Sequence, residues 1–233
     1  MKFFYCLFIF ALSIVSCKKA LITETIYLNA QNKVAYFKKV ASRLNVKIAC
    51  EGTSLTYGQN VPGVAPPING AGQTRALYQY PSSLQATLIS NNIKAQVINR
   101  GFPGDRTVEG LTRWQDSTSA NVAIIEYATN DAFNFGGYAS GPLTIPVFTD
   151  RLSKIVERRI KQGAWVILTS PPAVEGAGNE MDAYKAAIMA ISQKFDIPVF
   201  DVQTNVIESS ADYFDGVHLT ALAYQRWGIK IAP

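Results

Sequence analysis

Five short apolar runs recur along the chain from position 46 onward, and the stretches between them carry apolar residues at helical spacing. The first run, 46–51 (Val-Lys-Ile-Ala-Cys-Glu), reads as a buried strand. Runs at 94–99, 121–127, 164–169 and 197–200 repeat the pattern, with Val122, Ile124 and Ile125 marking the third. Pro81 suits the first turn of a helix that directs Leu84, Leu88 and Ile89 inward. Further helices are predicted over 107–114, 181–195 and 220–227, and a long one through Phe148, Leu152, Ile155 and Val156. Arg151, Lys154 and Arg158 would form the solvated face of that long helix. Strands that are apolar throughout and alternate with helices predict a parallel sheet covered on both faces, an α/β fold. No internal repeat or low-complexity tract interrupts the alternation, although 58–80 is a long loop rich in proline and glycine.

Two segments of different character precede this alternation. Positions 18–45 carry Val34, Phe37, Val40, Ala41 and Leu44 among Lys33, Lys38, Lys39 and Arg43, which predicts an amphipathic helix packed on the main domain. Before it, Met1-Lys2 leads into an almost wholly apolar run from Phe3 to Val15. A bilayer span takes roughly 20 residues, so this shorter run fits the core of a secretory signal instead. Ile14-Val15-Ser16-Cys17 resembles a bacterial lipobox, in which Cys17 is lipidated and becomes the new N-terminus; plain cleavage is the alternative. The expected organisation is a signal over 1–17, an extension over 18–45 and one domain over 46–233. The expected location is extracytoplasmic: secreted, periplasmic or anchored to a membrane through Cys17.

Composition sharpens this only in part. With 233 residues, 48% of them hydrophobic, the chain has material for a full core. A net charge of +5 favours anionic surroundings such as acidic glycans or lipid headgroups. No nucleic-acid motif accompanies the charge, so nucleic acid is not an expected partner. Of three cysteines, Cys6 and Cys17 fall in the signal, leaving Cys50 in the first strand without an internal disulfide partner. There is no CxxC pair and no His/Cys cluster, so neither a metal nor another cofactor is expected.

In open parallel sheets, ligands bind beyond the carboxyl ends of the strands. Four loops at those ends hold the candidate chemistry: Gly52-Thr53-Ser54-Leu55-Thr56-Tyr57-Gly58, the stretch from Asn99 to Thr107, Ala128-Thr129-Asn130-Asp131, and Asp215-Gly216-Val217-His218. Acyl transfer needs a nucleophile, a base, a group that orients the base, and donors for the developing oxyanion. Ser54 offers a hydroxyl, and His218, the only histidine in the chain, could take its proton. Asp215, three residues earlier, is close enough to hold the other imidazole nitrogen. The backbone N–H groups of Ser54 and Gly104 and the side-chain amide of Asn130 are candidate oxyanion donors. Each residue also has a plainer use, as a surface turn, a helix cap or a tight glycine turn. The chemical reading accounts for all four loops together and for the place of the lone histidine. Tyr57, Phe102 and Phe133 are candidates for stacking on a sugar or lining an acyl pocket, with Phe135, Tyr138, Tyr213 and Phe214 nearby.

These four loops resemble the blocks of the SGNH (GDSL) hydrolase family. Gly-Thr-Ser-Leu-Thr around Ser54 is similar to its nucleophile block, and Asn-x-Gly-x-x-Gly-x-x-Thr, containing Gly104, to its glycine block. Asn130 matches the asparagine of Gly-x-Asn-Asp, and Asp215 and His218 match the closing Asp-x-x-His. The resemblance covers roughly 46–228 and implies a flavodoxin-like α/β/α sandwich on a five-stranded parallel sheet, with metal-free ester hydrolysis. Two positions depart from the pattern: Thr53 stands for the aspartate of Gly-Asp-Ser, and Ala128 for the glycine of Gly-x-Asn-Asp, where it would tighten the approach to Asn130. The Gly-x-Ser-x-Gly elbow of the larger α/β-hydrolases is absent. A narrower resemblance, to SGNH esterase domains of phage tail spikes and polysaccharide deacetylases, implies O-acetyl groups on a glycan as substrate. A lipid-directed lysophospholipase or thioesterase, and a catalytically silent glycan-binding module, are the alternatives.

Overall fold

All five apolar runs form strands. A computed structural model describes residues 46–59, 76–115 and 120–233. In it β1 (Val46–Gly52), β2 (Ala95–Gly101), β3 (Val122–Glu126), β4 (Trp165–Ser170) and β5 (Val199–Asp201) pair in the order β2-β1-β3-β4-β5. Every pairing is parallel. The chain leaves β1 to form β2 on one side and then crosses to β3 on the other, so a crevice opens at the carboxyl end of β1. β3 is buried throughout and β1 everywhere except Lys47, which is what a sheet covered on both faces requires.

Helices α1 (Ser54–Tyr57), α2 (Tyr80–Ser90), α3 (Thr107–Arg113), α4 (Thr129–Phe133), α5 (Ile145–Lys161), α6 (Asp182–Phe195), α7 (Val202–Val206) and α8 (Ala221–Ile231) connect the strands, with a 3-10 turn at Ser210–Asp212. Side chains alternate along a strand, so Ala123 and Ile125 reach one layer. There they meet Phe148, Leu152, Ile155 and Val156 of α5 and Ile188 and Ile191 of α6. Each such fully buried side chain contributes about 1.5–3 kcal/mol relative to exposure. Elsewhere α2 packs on α8, with Tyr80 stacked on Trp227 at 4.3 Å between ring centroids.

Two expectations change. Leu84 and Leu88 point inward, but Ile89 is 62% exposed, because the turn that brings Leu84 and Leu88 onto α8 and the sheet rotates it away. Arg158 is not a solvated side chain: it is half-buried and donates to the Leu111 carbonyl at 2.7 Å. Beside it Arg159 is wholly buried and ion-paired with Glu51 of β1. Burial pushes the Glu51 carboxyl up, and Arg159 and Arg100 pull it back. The expected signal with Cys17, the 18–45 extension and most of the 58–80 loop lie outside the described residues. Among the described residues no helix is long and apolar enough to cross a membrane.

Candidate active site

The end of β1 turns directly into α1, whose first residue is Ser54. Thr53 caps the turn: its hydroxyl accepts from the Leu55 N–H at 3.2 Å. The other half of the site hangs from α8. Thr220 caps that helix, and an antiparallel bridge between Tyr213 and Leu219 closes the hairpin that carries Asp215 and His218. The Tyr224 hydroxyl of α8 donates to the Gln59 carbonyl at 3.0 Å, tying the terminal helix to the turn after Ser54. Two loops 164 residues apart in sequence therefore meet: His218 Nε2 lies 2.9 Å from Ser54 Oγ.

The other ring nitrogen, Nδ1, is 2.7 Å from Asp215 Oδ2. Asp215 Oδ1 accepts from the N–H groups of His218 at 2.7 Å and Val217 at 3.0 Å. Burial works to raise the Asp215 carboxyl, but the ring and backbone donors outweigh it and hold the group below the usual carboxylate range. An ionised carboxylate only accepts, so Nδ1 carries the proton and Nε2 offers its lone pair to the Ser54 O–H. A hydroxyl, imidazole and carboxylate joined in this order can move a proton from the serine oxygen as that oxygen attacks an electrophilic carbon.

The oxyanion candidates come from neighbouring strand ends. Gly52 pairs with Gly101 on one side and Glu126 on the other, which sets the loops after β2 and β3 beside Ser54. Gly104 has φ +84, the left-handed region that glycine tolerates best, and a Cβ there would lie 3.2 Å from Gly136 Cα. Asn130 is buried, and its amide donates to the Asp105 carbonyl at 2.9 Å, which leaves one amide N–H for another acceptor. Asp105 is itself clamped by two bonds from Arg113, at 2.7 and 2.8 Å. Asp131 accepts from the Thr107 N–H at 2.9 Å and its hydroxyl at 2.6 Å, joining this loop to the next; burial pushes the Asp131 carboxyl up to about 6.

Ala128 bears the cost of replacing a glycine. Its φ is +130, a conformation that L side chains rarely adopt. The substitution therefore appears as backbone strain at the start of α4, immediately before the Asn130 turn. Ala128→Gly should raise the unfolding free energy by about 1 kcal/mol, the strain relieved exceeding the buried methyl lost. Urea unfolding of the two proteins measures it, and no gain would mean that the methyl contact dominates.

One aromatic expectation is corrected. Tyr57 is wholly buried and belongs to the core, so its side chain is not open to a ligand. Phe102 is half-buried, with the Arg113 guanidinium covering one ring face at 3.5 Å. Phe133 packs against the core and stacks on Phe135, whose ring is the exposed one. Sequence reasoning also missed Glu126, a wholly buried carboxylate at the end of β3. Its signal was present: a charged residue closing a run buried on both faces requires partners. Among the described residues no group of three or more His, Cys, Asp or Glu side chains could hold a metal ion. Cys50 is buried and unbridged, and burial pushes its thiol up to about 12.

Residues 50–226 match the GDSL-like lipase/acylhydrolase family. The chain belongs to that family. It is accordingly a serine ester hydrolase on the SGNH fold. No curated protein sequence matches it. Among solved structures it is similar to a variant of Axe2, an acetyl xylan esterase from Geobacillus stearothermophilus, with a TM-score of 0.64 at 17% identity over 80% of this chain and 94% of the other. Est24, a carbohydrate acetylesterase from Sinorhizobium meliloti, gives a TM-score of 0.58 at 18% identity over 80% and 96%. The M. smegmatis aryl esterase gives 0.58 at 20% identity over 79% and 95%. At these identities the likeness is one of fold.

Proposed function

We propose that this family member removes small acyl groups, acetyl above all, from a glycan outside the cytoplasm, with Ser54 as nucleophile, His218 as general base and acid, and Asp215 orienting the imidazole. The observation that carries the reading is the unbroken hydrogen-bonded chain Ser54–His218–Asp215 at 2.9 and 2.7 Å. Ser54 Oγ attacks the ester carbon as its proton passes to His218 Nε2. The carbonyl oxygen becomes an oxyanion held by the N–H groups of Ser54 and Gly104 and the free amide N–H of Asn130. Collapse breaks the bond to the alcohol oxygen, which leaves with the proton from His218. Water then attacks the acyl-enzyme by the same proton path and releases the carboxylate.

Three things support an acetylated glycan. Two of the similar structures are named as carbohydrate acetylesterases. An open groove of about 290 Å³ reaches Tyr213, at the base of the hairpin that carries Asp215 and His218; Glu175, Gln203, Glu208, Ser209 and Ser210 line it together with the apolar Ala173 and Ile207. Its carboxylates, amide and hydroxyls can hydrogen-bond sugar hydroxyls. The apolar run before Cys17 supports an extracytoplasmic location, with Cys17 as the point of lipid attachment.

The test is a series of p-nitrophenyl esters from C2 to C12, with acetate release from acetylated polysaccharides measured beside it. In an acyl tunnel each buried methylene contributes about 0.8 kcal/mol, so a lipid-directed enzyme gains with chain length. We expect kcat/KM to be highest at C2 and to fall at least about tenfold by C8, chains that cannot be buried bringing crowding without binding. A maximum at C8 or longer would replace the glycan reading with the lipid-directed one. Inactivity on every ester, with glycan binding retained, would favour a binding module.

A further inference from the structure

Glu126 is wholly buried at the carboxyl end of β3, directly across the ladder from Gly52. One of its oxygens, Oε2, accepts three hydrogen bonds: from the Thr53 N–H at 3.0 Å, the Thr53 hydroxyl at 2.8 Å and the Thr56 hydroxyl at 3.1 Å. Thr53 and Thr56 bracket Ser54, and both are wholly buried. Close approach here needs a glycine at position 52, where a Cβ would lie 2.3 Å from Thr56 Oγ1 and 2.7 Å from Glu126 Oε2. The second carboxyl oxygen, Oε1, has no hydrogen-bond partner among the described residues.

We propose that Glu126 is a positioning residue for the nucleophile, fixing Ser54 against His218 through Thr53 and Thr56. The proposal rests on the reading of Ser54 as nucleophile. It also accounts for the hydroxyl residue at position 53. An aspartate there would bring a second carboxylate to the place where the Thr53 hydroxyl lies 2.8 Å from Oε2. Two carboxylates at that separation do not both ionise, and one would have to hold a proton. Thr53 supplies a donor instead, and with its backbone N–H it lets one carboxyl oxygen grip the residue before the nucleophile twice. Burial pushes the Glu126 carboxyl up against these donors, so the group favours partners that donate to it over any added negative charge.

The geometry makes distinct demands on three substitutions. Glu126→Ala removes the anchor from both sides of Ser54 and leaves its donors unpaired. Displacements of about 1 Å at a reacting group cost on the order of 10²-fold, so kcat on p-nitrophenyl acetate should fall roughly 30–100-fold with KM within about threefold. Glu126→Gln keeps the shape. Its one carbonyl oxygen can take the place of Oε2, and its amide nitrogen that of the unpartnered Oε1, so activity should stay within about fivefold of wild type. Thr53→Asp sets carboxylate against carboxylate and should be impaired, whereas Thr53→Asp combined with Glu126→Gln removes one of the two charges while the amide oxygen still accepts from the residue-53 N–H and the Thr56 hydroxyl. The double variant should recover at least about tenfold over Thr53→Asp alone, a coupling that independent structural damage does not produce.

The rate of Ser54 labelling by a small phosphonate ester gives a second readout. In Glu126→Ala the labelling rate should fall in parallel with kcat while the final labelled fraction stays near one per chain. Damage confined to folding would lower the labelled fraction and leave the rate per labelled site unchanged. A folded Glu126→Ala protein with kcat within threefold of wild type overturns the proposal. Should that variant not fold, equal activities of Thr53→Asp and the double variant overturn it. Ser54→Ala, measured alongside, separates the two levels: activity retained there removes the nucleophile assignment itself, whereas a wild-type rate in Glu126→Ala alone removes only this inference.

Discussion

Replacing Ser54 with alanine should lower kcat on a small ester by roughly 10⁴-fold or more, with thermal unfolding close to that of the wild type. Losing the nucleophile of a serine hydrolase leaves only what the oxyanion donors and substrate binding achieve on their own. The structural cost is small by construction. The serine hydroxyl bonds to His218 Nε2, whereas the turn is held by groups that alanine leaves in place. The Gly58 N–H still donates to the residue-54 carbonyl at 2.9 Å, and the Thr53 hydroxyl still caps the Leu55 N–H. Alanine is also an excellent residue for the first turn of a helix. Steady-state rates on p-nitrophenyl acetate, paired with a melting curve, check both halves. A folded Ser54→Ala protein that turns over at more than a hundredth of the wild-type rate would mean that the chemistry runs through another group. In that case the short Ser54–His218 distance would be a structural hydrogen bond, and the proposed acyl-enzyme would have no attachment point.

The sheet and the serine–histidine–aspartate chain were legible in the sequence for different physical reasons. Strands buried on both faces have to be apolar along their length, which is why β1 and β3 read as runs; the edge strands β2 and β5 are only partly buried, and all five begin or end within two residues of where the sequence places them. The place of His218 beside Ser54 was legible because the chain offers only one imidazole. Short elements were not legible. The helices Ser54–Tyr57 and Thr129–Phe133 are too brief to show a 3.6-residue period, and they exist because strand-end turns and caps hold them. Tyr57 shows the consequence. Counted as a loop residue it looks available to substrate, but one turn of helix sends it into the core. Buried charge was hidden for another reason. Glu51 meets Arg159 across more than a hundred residues of sequence, and Glu126 meets Thr53 and Thr56 across some seventy. A charge that closes an apolar run signals that partners are needed, but nothing local says which residues supply them. Ala128 falls between these cases: the missing glycine was visible, but whether the chain would relax or accept a positive φ depended on the packing around α4.

Asn130→Ala should cost on the order of 10²–10³-fold in kcat, the loss seen when one preorganised oxyanion donor is removed, equivalent to about 2.7–4 kcal/mol of barrier. The amide has two N–H groups. One is spent on the Asp105 carbonyl at 2.9 Å, which fixes the rotamer and holds the Gly104 loop against α4. The fixed rotamer is what makes the second N–H effective, since a donor already aimed needs no reorganisation as charge develops. Alanine therefore removes a donor and one of the bonds that hold the Gly104 loop. The two effects part on a boronic acid that forms a tetrahedral adduct with Ser54. Losing transition-state donors weakens that adduct in proportion to kcat, while KM for p-nitrophenyl acetate, set largely by ground-state contacts, should move less than about fivefold. The loop retains its own anchor in the paired bonds from Arg113 to Asp105, so Asn130→Ala should remain folded. A folded variant with kcat within threefold of wild type would remove Asn130 from the oxyanion site and leave its amide with one role, that of joining the loops after β2 and β3.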